Sequence, residues 1–232
     1  MTIYFNNVTK TYKDFSLSIP ELHIKTGEVV KLFGKNGAGK TTLLRLIVDL
    51  VEVENGIVTI DGMETSKTAA WKKSTACFLD DSFLIKYLEV QEYYKLLYNF
   101  YSIPSKSASE VNELAGNFLD MYSLKDKRIE NLSTGNQVKV GVLGTLLVEP
   151  KLLILDEPIA NLDPESRIIL ISLLKRYKAN NDCTIILSSH DLNVTNRITG
   201  RSIILDNGAI KYDQYDQKNN LEKIQQHFNN SL

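Results

Sequence analysis

The chain has little of what marks a secreted, membrane-spanning or nucleic-acid-coating protein. Only two of its 232 residues are cysteines. Cys77 and Cys183 lie in apolar surroundings with no metal-ligand spacing, so they read as reduced, buried thiols. An excess of one charge is also missing: 27 Lys and Arg against 28 Asp and Glu leave a net charge of −1. Dedicated nucleic-acid binders normally carry a basic excess or stripe, so no nucleic-acid partner is expected. No apolar run approaches a membrane span; the richest, Ile168 to Leu174, is short and contains Ser172. The opening Met1-Thr2-Ile3-Tyr4-Phe5-Asn6-Asn7 has no basic segment ahead of an apolar one, which argues against a secretory leader. No internal repeat or low-complexity linker is present. The length suits one large domain, or one domain with a lobe inserted.

What is present begins with Gly34-Lys35-Asn36-Gly37-Ala38-Gly39-Lys40-Thr41-Thr42. The apolar run Val29-Val30-Lys31-Leu32-Phe33 precedes it and Leu43-Leu44-Arg45-Leu46-Ile47 follows, an order of strand, glycine loop and helix. This is the setting of a phosphate-binding loop, and every fixed position of G-x-x-x-x-G-K-[ST] is matched. Phosphate oxygens concentrate negative charge, so backbone N–H groups must come close. A side chain at Gly37 or Gly39 would block that approach or forbid the left-handed backbone. The following helix turns its positive end to the phosphates. Lys40 is expected on the β- and γ-phosphates, Thr41 on Mg²⁺, and Thr42 toward the α-phosphate. The ligand named by this chemistry is a nucleoside triphosphate with Mg²⁺.

Along the chain, Ile3 to Val8, Phe15 to Ile19, Glu28 to Phe33, Gly56 to Gly62 and Ala76 to Leu79 read as strands. From Glu89 the pattern turns helical, with Val90, Tyr94, Leu97 and Tyr101 on one stripe and helix-prone sequence running to Met121. A helical lobe is expected over roughly residues 82–130. Leu152 to Leu155 and Thr184 to Leu187 read as buried strands, with a helix between them capped by Asp163 and opened by Pro164. Arg201 to Tyr212 reads as a hairpin across Asp206-Asn207-Gly208, and Asn219 to Phe228 as a polar helical tail.

Leu152-Leu153-Ile154-Leu155-Asp156-Glu157 is an apolar strand ending in two acids. Beside a phosphate loop, Asp156 would hold Mg²⁺ through its water shell and Glu157 would face the attacking water as general base. The plainer reading is an acidic pair solvated at a strand end. His190, directly after Thr184-Ile185-Ile186-Leu187-Ser188-Ser189, is placed to donate to a γ-phosphate. His23 and His227 are assigned nothing.

Leu132-Ser133-Thr134-Gly135-Asn136-Gln137, ahead of an apolar helix, resembles the signature of the ATP-binding cassette (ABC) ATPases. The resemblance covers nearly the whole chain, with its blocks in family order. It implies an α/β fold: a P-loop NTPase core with an antiparallel β subdomain and an inserted α-helical subdomain. Tyr12 looks like the aromatic that stacks on adenine, against the reading of an ordinary strand-end tyrosine. Ser133 and Gly135 would bind the γ-phosphate held by a second subunit, and Asp163 would lie at the same boundary. A capped helix start at Ser133 is compatible with that role. The working form implied is a head-to-tail homodimer, or a heterodimer with a similar ATPase, enclosing two ATP molecules.

One departure is plain. The family usually has glutamine where Asp81 stands in Cys77-Phe78-Leu79-Asp80-Asp81. Aspartate is a hard oxygen ligand, so Asp81 is expected to keep a metal contact with altered affinity or coupling. Milder departures are Thr134, Asn136 and Lys139.

The resemblance implies a transporter motor, working on a separate transmembrane permease at the inner face of the cell membrane. The aromatic-rich stretch Phe83 to Tyr101 is either part of that docking surface, packed core, or both on opposite faces. The short chain, without an appended regulatory domain, looks more like an efflux motor than an importer. The alternatives are a soluble non-transport ABC ATPase and a low-turnover regulatory module. A plain kinase is disfavoured, since it needs no signature at Ser133 to Gly135.

Overall fold

The structure is a computed structural model, and it describes residues 1–195 and 197–215. The tail helix expected over 219–228 lies outside the described residues. Two sheets organise the chain. The first is antiparallel, ordered β2-β1-β4-β5. It comprises β1 (Ile3–Tyr12), β2 (Phe15–Ile24), β4 (Asn55–Ile60) and β5 (Met63–Glu64). β2 runs past the expected end at Ile19, through Pro20 to Ile24. A proline is tolerated there because β2 is an edge strand. The β1–β2 register also skips it, passing from Val8↔Ile19 to Asn6↔Glu21 around Asn7 at φ 50°.

The second sheet is ordered β10-β9-β3-β8-β7-β6. Its strands are β3 (Val29–Phe33), β6 (Thr75–Phe78), β7 (Leu152–Leu155), β8 (Thr184–Ser189), β9 (Arg201–Asp206) and β10 (Ala209–Tyr215). All pairings are parallel except β9 with β10. The central strands are buried on both faces, which is why they read as unbroken apolar runs. Leu152, Ile154 and Ile186 join the core shared with the first sheet and α1 (Lys40–Ile47). Leu153, Leu155, Ile185 and Leu187 face the opposite core, built with α5 (Thr134–Leu147) and α6 (Pro164–Asn180). Parallel pairing has one consequence for function. The segments leaving β3, β7 and β8 emerge together at one carboxyl edge.

Between β6 and β7 lie α2 (Val90–Tyr101), α3 (Ala108–Ala115) and α4 (Met121–Leu124). Glu89 with Glu92, and Ser107 with Glu110, form capping boxes at the starts of α2 and α3. The helical run expected to reach Met121 stops at Gly116, whose φ is 55°. The buried stripe of α2 is Val90, Tyr93, Tyr94 and Tyr98, while Leu97 and Tyr101 are only half-buried. The stripe shifts because α2 packs against α5 and also against the other lobe helices, so its apolar face is wider than one seam. Tyr87 and Phe100 lie outside this core and are exposed. Cys183 is buried and Cys77 half-buried; both are free, and burial pushes both thiols up to about 11.

The hairpin turn between β9 and β10 braces the glycine loop. Asn207 and Gly208 both have positive φ, 46° and 74°, as a two-residue hairpin requires. The Gly208 amide donates to the Ala38 carbonyl at 3.0 Å, and the Ser18 amide donates to the Gly208 carbonyl at 2.8 Å. A Cβ at Gly208 would meet the Ser16 carbonyl oxygen at 1.9 Å. Backbone on both sides leaves no flexible atom to yield. Gly208→Ala is therefore expected to lower the unfolding free energy by about 2 kcal/mol or more, from strain and lost bonds. Urea titration checks this, and an unchanged midpoint contradicts the bracing role.

Candidate functional site

The loop Gly34–Gly39 leaves β3 and enters α1 through Gly39, which caps the helix at φ 105°. A Cβ there would fall 2.7 Å from the Phe15 ring and 2.9 Å from Leu17 Cδ1. Gly37, at φ 82°, meets nothing within 4 Å, so backbone angle rather than space requires glycine there. α1 has no side-chain cap and no acid in its first turn. By contrast α5 and α6 are capped by Ser133 and Asp163. The first amides of α1 thus carry no side-chain cap, as an anion-binding helix start requires.

Lys40 is buried, and its ammonium donates to the Gly34 carbonyl at 2.7 Å and the Lys35 carbonyl at 3.2 Å. It also lies 3.1 Å from Glu157 Oε1. That contact is an ion pair without hydrogen-bond alignment, because Oε1 receives no hydrogen bond. Glu157 follows β7 at φ 46°, a left-handed angle rare for a residue with a side chain. Such strain costs on the order of 1–3 kcal/mol and needs neighbours to hold it. The Glu157 amide donates to Ser188 Oγ at 2.8 Å. Its Oε2 lies 2.9 Å from His190 Nδ1 and accepts from the His190 amide at 3.2 Å.

Asp156 is buried at the end of β7. Thr41 Oγ1 donates to its Oδ2 at 2.5 Å, and Ser188 Oγ donates to its Oδ1. Burial raises its pKa; the Ser188 and Thr41 hydroxyls oppose that, Glu157 adds to the rise and Lys40 opposes it. Thr41 and Asp156 are adjacent hard oxygen donors. Among the described residues no group of three His, Cys, Asp or Glu could hold a metal alone. A metal here must draw its remaining ligands from phosphates and water, which suits Mg²⁺.

Lys40, Thr41 and Glu157 line a cleft of about 430 Å³ with Tyr12, Phe15, Lys35, Asn36 and Thr42, and Asp156 lies buried behind Thr41. Tyr12 is 43% exposed and its ring stacks on Phe15, with centroids 6.4 Å apart and planes at 29°. Phe15 and Ser188 were not singled out from the sequence. Tyr12 and Phe15 face each other across the β1–β2 turn, a cross-strand pairing that the spacing Tyr12-Lys13-Asp14-Phe15 signals. Ser188 is the first of two serines that close β8, and the pairing of Leu155 with Leu187 brings it beside Asp156, a register that only the parallel β7–β8 pairing reveals.

Three expected residues lie elsewhere. Ser133 and Asp163 are exposed, and neither they nor Gly135 line this chain's own cleft. They form one ridge: a Cβ on Gly135 would fall 3.2 Å from the Asn161 carbonyl oxygen, just before Asp163. Ser133 Oγ accepts from the Asn136 amide at 3.3 Å. Asp163 accepts from the Ser166 amide at 2.9 Å and from its hydroxyl at 2.5 Å, which lowers the Asp163 pKa. The structure does not bring Asp81 to Thr41 and Asp156. Residues Asp81–Phe83 form a short 3₁₀ turn capped by Asp80. The Asp81 carboxylate is paired with Lys86 at 2.5 Å, while Asp80 Oδ2 meets Arg45 of α1 at 3.3 Å.

A family model described as "ABC transporter" matches residues 17–160. The sulfate/thiosulfate import ATP-binding protein CysA of Rhodopseudomonas palustris is 30% identical over 218 residues, covering 91% of this chain and 62% of that protein. The chain thus spans less than two thirds of that relative's length. The phosphonates import ATP-binding protein PhnC 2 of Oceanobacillus iheyensis is 32% identical over 225 residues, covering 90% of this chain and 86% of that one. Among solved structures, the dimeric bacterial ABC transporter cassette MJ0796 matches with a TM-score of 0.77 at 27% identity, covering 92% of this chain and 98% of that one. A dimeric post-hydrolysis state of the same cassette, bound to ADP and Pi, gives 0.76 at 26%, with the same coverage.

Ser188 carries two duties at the cleft, donating to Asp156 and accepting from the Glu157 amide. Ser188→Ala strands a buried carboxylate oxygen and releases the strained turn. It is expected to cost about 1–3 kcal/mol of stability, read by chemical denaturation. A loss below about 0.5 kcal/mol, as for an ordinary surface change, contradicts this role.

Proposed function

This chain belongs to the ABC transporter family of ATP-binding proteins, and on that footing we propose that it is the ATP-hydrolysing motor subunit of a membrane transporter. The observation that carries the reading is the meeting of loop and acids at one sheet edge: Thr41 on Asp156 at 2.5 Å and Lys40 beside Glu157 at 3.1 Å. Tyr12, with Phe15 beneath it, offers the face for adenine. Gly34, Asn36, Gly37, Ala38 and Gly39 supply the loop around the phosphates, and Thr42 extends it along α1.

Mg²⁺ held by Thr41 and Asp156 would neutralise charge between the β- and γ-phosphates. Asp81 joins that set only if its pair with Lys86 breaks. Triphosphate oxygens compete with the loop carbonyls for Lys40, and drawing it toward them frees Glu157 Oε1. Glu157 then accepts a proton from water as the water oxygen bonds to the γ-phosphorus. The bond from that phosphorus to the bridging oxygen breaks, and ADP departs. His190 holds the carboxylate through Nδ1 and presents its ring to the γ-phosphate.

Ser133, Gly135 and Asp163 lie on a ridge outside this cleft, so the reading assigns them to the cleft of a second cassette. The dimeric cassette matched above supports that assembly. Among the described residues no helix is long and apolar enough to cross a membrane. A separate permease, with the cassette peripheral on it, follows from the motor role. The efflux direction expected from the chain's brevity finds no support. Length carries no direction, and both relatives named above are called import proteins, so import is the reading we favour.

Glu157→Gln keeps shape but cannot take the proton. Turnover of ATP should fall by roughly 10²–10⁴-fold, about 3–5 kcal/mol of barrier. ATP binding should persist, and dimers should accumulate with ATP in size-exclusion chromatography. Wild-type turnover in this variant removes Glu157 as the base. A wild-type chain that binds ATP without steady-state hydrolysis selects the regulatory-module reading.

A further inference from the structure

Arg167 stands in the first turn of α6 and has no part in the chemistry above, yet its guanidinium grips two segments that do. Its Nε donates to the Leu162 carbonyl at 2.9 Å and its Nη2 to the Ala160 carbonyl at 3.5 Å. Its Nη1 lies 3.5 Å from Asp191 Oδ2. The Arg167 side chain is 32% exposed and that of Asp191 25%, so water screens the pair only in part. A planar fork of five donors can meet carbonyls and a carboxylate at once. A lysine ammonium is a point charge on a flexible stem and does not hold that geometry.

The first segment, residues 158–163, runs from the strained Glu157 turn to the ridge. The Ala160 amide donates to the Glu157 carbonyl at 3.0 Å, and the Leu162 amide to the Ile159 carbonyl at 3.3 Å. Its later carbonyls serve two neighbours. That of Asn161 lies against Gly135 on the ridge, while those of Ala160 and Leu162 meet Arg167. The second segment follows β8. Asp191 comes directly after His190, whose Nδ1 and amide both contact Glu157 Oε2. The Asp191 amide donates to Ser189 Oγ at 2.9 Å, which closes a tight turn around His190. A shift of Asp191 therefore carries His190 with it.

We propose that Arg167 is a positioning residue for ATP hydrolysis: it ties the ridge segment to the turn that carries His190, so that contact with a second cassette at the ridge reaches Glu157. The inference rests on the motor reading given above. The contacts form a closed ring, from Glu157 through residues 158–162 to Arg167, on to Asp191 and His190, and back to Glu157. In a closed ring no member turns alone, which suits a base held at a left-handed backbone angle. The gain is in rate, since a misplacement of about 1 Å at a reacting group costs on the order of 10²-fold.

The test is steady-state ATPase kinetics of the full chain, with MgATP binding and thermal melting measured alongside. Arg167→Met keeps a long stem and removes the fork. Its kcat should fall by about tenfold or more with KM for MgATP within about twofold, because the groups that hold the nucleotide are untouched. Arg167→Lys keeps the charge beside Asp191 and should recover only part of the rate. Asp191→Asn should slow turnover as well. The double change Arg167→Met with Asp191→Asn should fall by less than the product of the two single falls, because both act through one link. Falls that multiply fully overturn the proposal, and so does parental turnover in Arg167→Met. A fall matched by an equal loss of MgATP binding and a lower melting temperature also overturns it, since the side chain then only holds the fold. If the parent chain binds ATP without hydrolysing it, the motor reading fails and the coupling with it. If the parent hydrolyses and Arg167→Met keeps pace, the coupling alone fails.

Discussion

The site depends on keeping one buried carboxylate charged. Asp156 sits where β7 ends, out of water, and burial alone would favour its neutral form. Two hydroxyls answer that cost, Thr41 from the start of α1 and Ser188 from β8. Each comes from a different segment, so the carboxylate ties the glycine loop, the acidic strand and its parallel neighbour together. The same Ser188 accepts the Glu157 amide and steadies a left-handed turn. That turn sets the Glu157 carboxylate between Lys40 and His190. Remove the charge on Asp156 and the geometry of the base has no anchor.

Around that anchor the chain arranges its helix starts in two ways. α1 begins bare, with a left-handed glycine and no acid in the first turn. α5 and α6 begin with Ser133 and Asp163 already spent on their own amides. A bare start suits close contact with phosphates inside one chain. The capped starts stand exposed on a ridge away from the cleft, held together by the small residue Gly135 beside the Asn161 carbonyl. One polypeptide thus carries two incomplete surfaces of complementary chemistry, which is the physical case for pairing.

The glycine loop was legible because its demands are local: left-handed backbone at Gly37 and Gly39, a buried strand before and a helix after. The parallel strands were legible because burial on both faces leaves unbroken apolar runs. What escaped was set by contacts distant in sequence or by side-chain direction. Ser188 gains its role only from its register with β7. The α2 stripe keeps the expected Val90 and Tyr94 but also buries Tyr93 and Tyr98, while Leu97 packs at its border and Tyr101 is half-buried. Asp81 matched a family position by counting, yet a short turn directs its carboxylate to Lys86. Efflux was inferred from brevity, a property with no chemistry in it.

The central claim is that the Ser133 ridge of one copy completes the nucleotide cleft of another. Cross-linking between a Ser133→Cys chain and an Asn36→Cys chain tests it most directly. Cys77 and Cys183, with thiols raised to about 11 by burial, should stay silent. The account predicts a covalent dimer of the two chains when Mg²⁺ and ATP are present, and little without them. A link that forms only within one chain carrying both cysteines, or none with ATP bound, contradicts it.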